Sequence, residues 1–326
     1  MSTSLAESLA FIAQKMCIYF GIPLLIVGTL GGLLNVIVFL SLRTFRQSSC
    51  AFYLTIMSIV NVGQLITGLL ARIMITGFGI DWTQTSLIFC KLRYFLFPIA
   101  ALISFTSIIL ATIDQYFATC FRPRWQQWSN IHVAHRLMAV SSIIWILHGI
   151  SYLIFFNQNL SPTTGKVTCA SQNNIFLQYR TYFVTLVLTG VLPVVITILF
   201  GSLAYYNVRR LAYRTLPLVR RELDKQLTVM VLVQVIVNAF TVLPYVILVA
   251  LTLNTSLMND PVVSTKIQFT ATMTVLLYYI NFGSPFFIYI CASERFRRQL
   301  IHVLFTIHFE RWRLLRMVDN RVVPES

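Results

Sequence analysis

The sequence predicts an all-α integral membrane protein: a bundle of seven transmembrane helices followed by a short interfacial amphipathic helix. Three observations predict it. Of the 326 residues, 57% are hydrophobic and 11% are charged, with a mean hydropathy of +0.76. That is too little charge to keep the surface of a soluble chain this long in water. The apolar residues also fall in seven runs, about 18–42, 51–75, 92–119, 136–156, 182–208, 227–253 and 267–291. A helix needs roughly 20 apolar residues to cross about 30 Å of hydrocarbon, and long unalternated runs mean helices rather than a barrel. Lastly, with the amino terminus outside, the inner connections and tail hold 18 of the 25 Lys and Arg residues, and the outer side holds 7. Positive segments stay in the cytoplasm. The expected place is the cell membrane, multi-pass, with the amino terminus extracellular and the carboxyl terminus cytoplasmic.

These features set the organisation and exclude several classes. Residues 1–17 are expected as an extracellular amino terminus without a cleavage site, 18–292 as one seven-helix domain, and 293–326 as interfacial helix and cytoplasmic tail. The net charge of +15 describes a face apposed to anionic headgroups. It does not point to nucleic acid, because the basic residues are spread among membrane loops. No nucleophile–base or metal-ligand pair stands at helical spacing, so neither an enzyme nor a metal or cofactor is expected. A transporter would show a repeated half with midplane charges, and no second half is visible.

Along the chain, each run carries polar residues or prolines at membrane depth, where they are costly and tend to be functional or to lock helices together. The first run holds Asn35 and the second Asn61 and Gln64. The third begins at Cys90, holds Pro98, Ser104 and Ser107, and ends in Asp114-Gln115-Tyr116, where the aspartate is placed to pair with Arg122 or Arg124. Between the fourth and fifth runs lies Cys169. It shares the outer, oxidising side with Cys90, so a disulfide between them would persist and pin a long loop across the bundle; two free thiols are the alternative. Pro193, Pro244 and Pro285 interrupt the last three runs and can act as pivots. The seventh also holds Asn281 and Ser284. After it, Phe296, Leu300, Val303, Leu304 and Ile307 recur at helical spacing among Arg297, Arg298 and His302, the pattern of a helix lying in the interface. Two glycosylation sequons start at Asn159 and Asn254; Pro162 hinders the first, which leaves Asn254 as the candidate.

In this order and spacing, over about residues 18–306, the chain resembles the rhodopsin-like family of G-protein-coupled receptors. Asn35 and Trp145 stand where the family has its helix-one asparagine and helix-four tryptophan. The resemblance implies a Cys90–Cys169 disulfide and matches Pro193, Pro244 and Pro285 to the family prolines. Asp114-Gln115-Tyr116 stands for Asp-Arg-Tyr, Ser284-Pro285-Phe-Phe-Ile-Tyr289 for Asn-Pro-x-x-Tyr, and 293–298 for the start of the interfacial helix. Phe45-Arg-Gln-Ser-Ser-Cys-Ala-Phe-Tyr-Leu and Ser58-Ile-Val-Asn61 look most like invertebrate FMRFamide-type neuropeptide receptors. Retinal is disfavoured because the seventh run has no lysine between Ile267 and Cys291. A biogenic amine is disfavoured because Phe97 stands seven residues after Cys90. The implied partners are an extracellular ligand, a heterotrimeric G protein and the lipid bilayer.

The departures carry as much information. Gln115 replaces the family arginine and cannot make a charged inter-helix lock; at best it is expected to hydrogen-bond Asp224, twenty residues before Pro244. Asn61 replaces an aspartate: it can bridge Asn35, Ser104 and Asn281 but is a poor sodium ligand. The helix-six tryptophan is missing before Pro244, and Tyr289 comes one residue late. Ligand contacts are expected from Arg72, Arg93, Phe97, Gln178, Tyr182, Tyr278 and Tyr279 near the outer end. With only Glu7, Asp81 and Asp260 as outer acids, the rim nets +4, which suits a carboxylate or other acceptor on the ligand. The alternative to a coupled receptor is a seven-pass receptor signalling without G proteins or acting as a decoy, because of Gln115 and the missing tryptophan.

Overall fold

Apolar length decides the helices. In the structure, a computed structural model describing residues 2–160, 167–210, 218–252 and 260–307, six helices are long and apolar enough to cross a bilayer. They are α1 (Ala6–Ser41), α2 (Ser49–Gly77), α3 (Leu87–Thr119), α4 (Ile131–Phe155), α5 (Asn174–Arg209) and α6 (Glu222–Thr252). The seventh, α7, is a pair, Val262–Gly283 and Pro285–Ala292, bent by 49° at Ser284. The bend follows from Pro285, which lacks the N–H that would carry the backbone ladder through. A shorter α8 (Glu294–Ile301) follows. Asn254 lies outside the described residues.

The starts of these helices are written locally. Ser48, Ser86, Asn130, Asn173, Asp260 and Ser293 each accept a hydrogen bond from a backbone N–H two or three residues on, satisfying a donor the helix cannot reach. Pro261 follows its cap at the first helical position, where no N–H is needed. The first helix departs from expectation. It is helical from Ser2, with a one-residue break at Phe20, so 2–17 largely continues the span beyond the apolar run. Gln14 Nε2 donates to the Gly77 carbonyl at 2.8 Å, and Cys17 is fully buried, which ties this extension to the end of α2.

Two apolar layers fill the bundle. One, at the end of α3 that carries Asp114, gathers Phe39, Phe45, Met57, Met230, Tyr289 and Phe296; the other holds Leu65, Leu69, Phe105, Val246, Tyr278 and Phe282. α1 and α7 meet closely because a Cβ on Gly28 would lie 3.1 Å from the Gly283 Cα. Over the Cys90 end, β1 (Phe156–Leu160) pairs antiparallel with β2 (Val167–Ser171), with Gln158 opposite Cys169. The disulfide expected from the resemblance is present: Cys90 and Cys169 are bonded, their Cα atoms 5.8 Å apart. It fastens the hairpin to the start of α3, and Gln158 adds a second tie by donating to the Thr83 carbonyl at 2.8 Å.

Candidate functional site

Below the hairpin, α3 to α7 close around an aromatic slot of 40 Å³ lined by Tyr94, Phe97, Tyr152, Arg180, Tyr245 and Tyr278, among others. The Arg180 guanidinium lies 5.6 Å from the Tyr94 ring centre and 5.4 Å from that of Phe156, an arrangement in which ring quadrupoles hold a cation. No carboxylate pairs with it among the described residues, where the only ion pair is Arg298 with Glu294. The slot holds little more than one water. A larger group must spread its walls or rest in the mouth above it.

Of the seven residues expected to meet a ligand, Phe97 and Tyr278 line this slot. Tyr279 is buried beside it, its hydroxyl against Gly68. Arg72 points elsewhere, with its Nη2 donating to Thr272 Oγ1 at 3.1 Å and joining α2 to α7. Arg93 lies 5.8 Å over the Tyr94 ring. Gln178 and Tyr182 are exposed on the outside of α5 and do not line the slot. Sequence reasoning passed over Tyr94, Tyr152, Arg180 and Tyr245. Tyr94 stands one turn below Cys90 and Tyr245 directly after Pro244, positions that a search around those two landmarks finds; Arg180 is one of seven basic residues on its side of the bundle, and charge alone does not single it out.

Beneath the slot runs the polar core. Ser104 donates to Asn61 Oδ1 at 2.5 Å, and Gln234 Nε2 donates to Asn281 Oδ1 at 3.4 Å. The expected bridge of Asn61 to both Asn35 and Asn281 does not form: Asn35 Oδ1 is buried without a partner among the described residues. Trp145 Nε1 donates to Thr106 Oγ1 at 2.9 Å, holding α4 on α3. Pro244 sits within an unbroken α6.

At the opposite end lies a cavity of 380 Å³ lined by Thr44, Ser49, Asp114, Gln115, Ser129 and Asp224, among others. Two expectations are corrected here. Asp114 does not pair with Arg122 or Arg124; it is buried, and its carboxylate accepts from Ser49 Oγ at 2.7 Å, with Ser129 Oγ 3.2 Å from that hydroxyl. Nor does the Gln115 amide bond the Asp224 carboxylate. Thr228 Oγ1, one turn further along α6, lies 2.7 Å from Gln115 Oε1 and 2.7 Å from the Asp224 carbonyl. One hydroxyl proton serves one acceptor at a time, so turning the Gln115 amide over would let its NH2 donate to Thr228 while Thr228 donates to the carbonyl. Tyr116 stands edge-on to Phe200 of α5, ring centres 5.5 Å apart.

Past the Ser284–Pro285 bend, Tyr289 is fully buried, its ring 5.6 Å from Phe39 and 5.8 Å from Phe296. Ile288 shares that layer. Gln226 of α6 completes the end: its Oε1 accepts from Ser293 Oγ at 2.7 Å and from the Arg295 N–H at 3.1 Å. In comparisons with known proteins, the family model described as 7 transmembrane receptor (rhodopsin family) matches residues 32–287. No curated protein matches the chain.

Proposed function

The chain belongs to the rhodopsin family of seven-transmembrane receptors, and from that premise we propose that it binds an extracellular neuropeptide above the aromatic slot and signals to a heterotrimeric G protein at the opposite end. The observation that carries this reading is the pairing of two differently built ends on one polar core. The outer end offers Arg180, a guanidinium held on Tyr94 and Phe156 and without an ion pair among the described residues. A carboxylate or carbonyl of the ligand meets it without displacing a resident acid. The other end offers a 380 Å³ cavity between α2, α3 and α6, closed by the neutral Gln115–Thr228 contact. A neutral hydrogen bond contributes about 1 kcal/mol, so the clamp on the resting state is weak and α6 is easily moved from α3.

Gln115 also supports a second reading, a receptor that signals without G proteins or serves as a decoy, because no arginine is offered to the G protein at that position. Guanine-nucleotide exchange in membranes expressing wild type or Gln115→Arg, screened against short amidated peptides with and without an acidic residue, separates the two. Ligand-dependent exchange by the wild type establishes the coupled receptor. Exchange by the Gln115→Arg variant alone establishes binding without coupling. A binding peptide whose affinity is untouched by Arg180→Gln removes the proposed contact.

A further inference from the structure

At the basic end of the bundle, α5 and α6 leave between them a groove of 510 Å³ that opens to the bilayer. Ile198, Val229, Leu232 and Ile236 wall it, and Gly201, which has no side chain to fill it, contributes to its floor. Its last hydroxyls are those of Ser202 and Tyr205. Arg209 stands one turn beyond Tyr205 on the same face, and its guanidinium folds back to 4.8 Å from the Tyr205 ring centre, at the groove mouth. On α6, Lys225 stands one turn beyond Val229 and is exposed. Each helix thus carries a cation just past the apolar groove. Neither cation is ion-paired among the described residues.

We propose that this groove binds one anionic glycerophospholipid, with an acyl chain between α5 and α6 and its phosphate held by Arg209 and Lys225. Position and charge together select this occupant. The walls lie within two membrane spans, so hydrocarbon covers them, and the two cations stand where a headgroup begins. A sterol or a second copy of the chain fills the groove but leaves the cations unmatched, and a zwitterionic lipid, whose own ammonium already neutralises its phosphate, brings no net negative charge to them.

The test is native mass spectrometry of the full-length receptor, with phosphatidylserine or phosphatidylcholine added at equal concentration. Wild type is expected to retain phosphatidylserine preferentially. A basic residue near an anionic surface is worth about a factor of five, so the Arg209→Gln, Lys225→Gln double variant should lose roughly 25-fold in phosphatidylserine affinity. Ser202→Trp and, independently, Ile198→Trp plug the groove from its exposed edge and should reduce retention of both lipids. Arg295→Gln, on α8, should change nothing. Equal retention of the two lipids by wild type, or no loss in the double variant, overturns the proposal. So does a sterol adduct, or a receptor dimer, that the plugs remove and the charge variants leave intact.

Discussion

Single side chains decide how firmly the resting bundle is held. Thr228→Val deletes the hydroxyl beside Gln115 and is expected to raise basal nucleotide exchange about fivefold, the equivalent of about 1 kcal/mol. Gln115→Arg should lower it, as measured at equal expression. Tyr289 has a buried hydroxyl with no partner among the described residues. Tyr289→Phe should therefore leave the melting temperature unchanged or raise it slightly, while any loss of ligand-stimulated exchange would locate that hydroxyl's partner in the active state. With a neutral amide at Asn61, engaged by Ser104, in place of a carboxylate, replacing potassium with sodium should leave ligand affinity unaltered. The sequence identified Asn35, Asp114 and Gln115 as residues to watch but not their partners. Ser49 lies 65 residues from Asp114, a pairing no local pattern records. Asp224 and Thr228 lie on one face of α6, one turn apart, and periodicity does not choose between them.

For whole elements, hydropathy located every span and was least informative about the ends. The apolar run began at 18, yet α1 extends out to Ala6, because a helix outside hydrocarbon tolerates Gln14 and Lys15 and is kept by packing. The β1–β2 hairpin escaped notice because Phe156–Leu160 is mostly amide side chains, without the branched residues that mark a strand. The amphipathic pattern of α8 was legible, and so was Phe296 as its apolar anchor. Phe296 is fully buried, 5.5 Å from Phe39, so Phe296→Ala should cost about 3–5 kcal/mol. A lowered melting temperature together with faster amide exchange across α8 is the expected result. Unchanged exchange there would mean that α8 is held by lipid alone.

The whole molecule is fastened covalently where the hairpin crosses it. The Cys90–Cys169 bond closes a loop with a sequence separation of 79 residues, and removing a bond of this kind typically costs about 2–5 kcal/mol. Cys90→Ser should therefore reduce surface delivery and abolish ligand binding, checked by cell-surface labelling and by a melting temperature that no longer falls on reduction. The opposite end is joined by packing and hydrogen bonds alone among the described residues. Gln226 ties α6 to the first turn of α8 by two hydrogen bonds, and α8 has the amphipathic pattern of a helix lying in the interface. An outward swing of α6 must break that tie or drag α8 with it. A bilayer that thins or comes under tension shifts the seat of α8, so it presses on α6 through the same joint. On the proposed function, the expected consequence is a membrane that acts as a mechanical effector, setting how much work an incoming ligand has left to do.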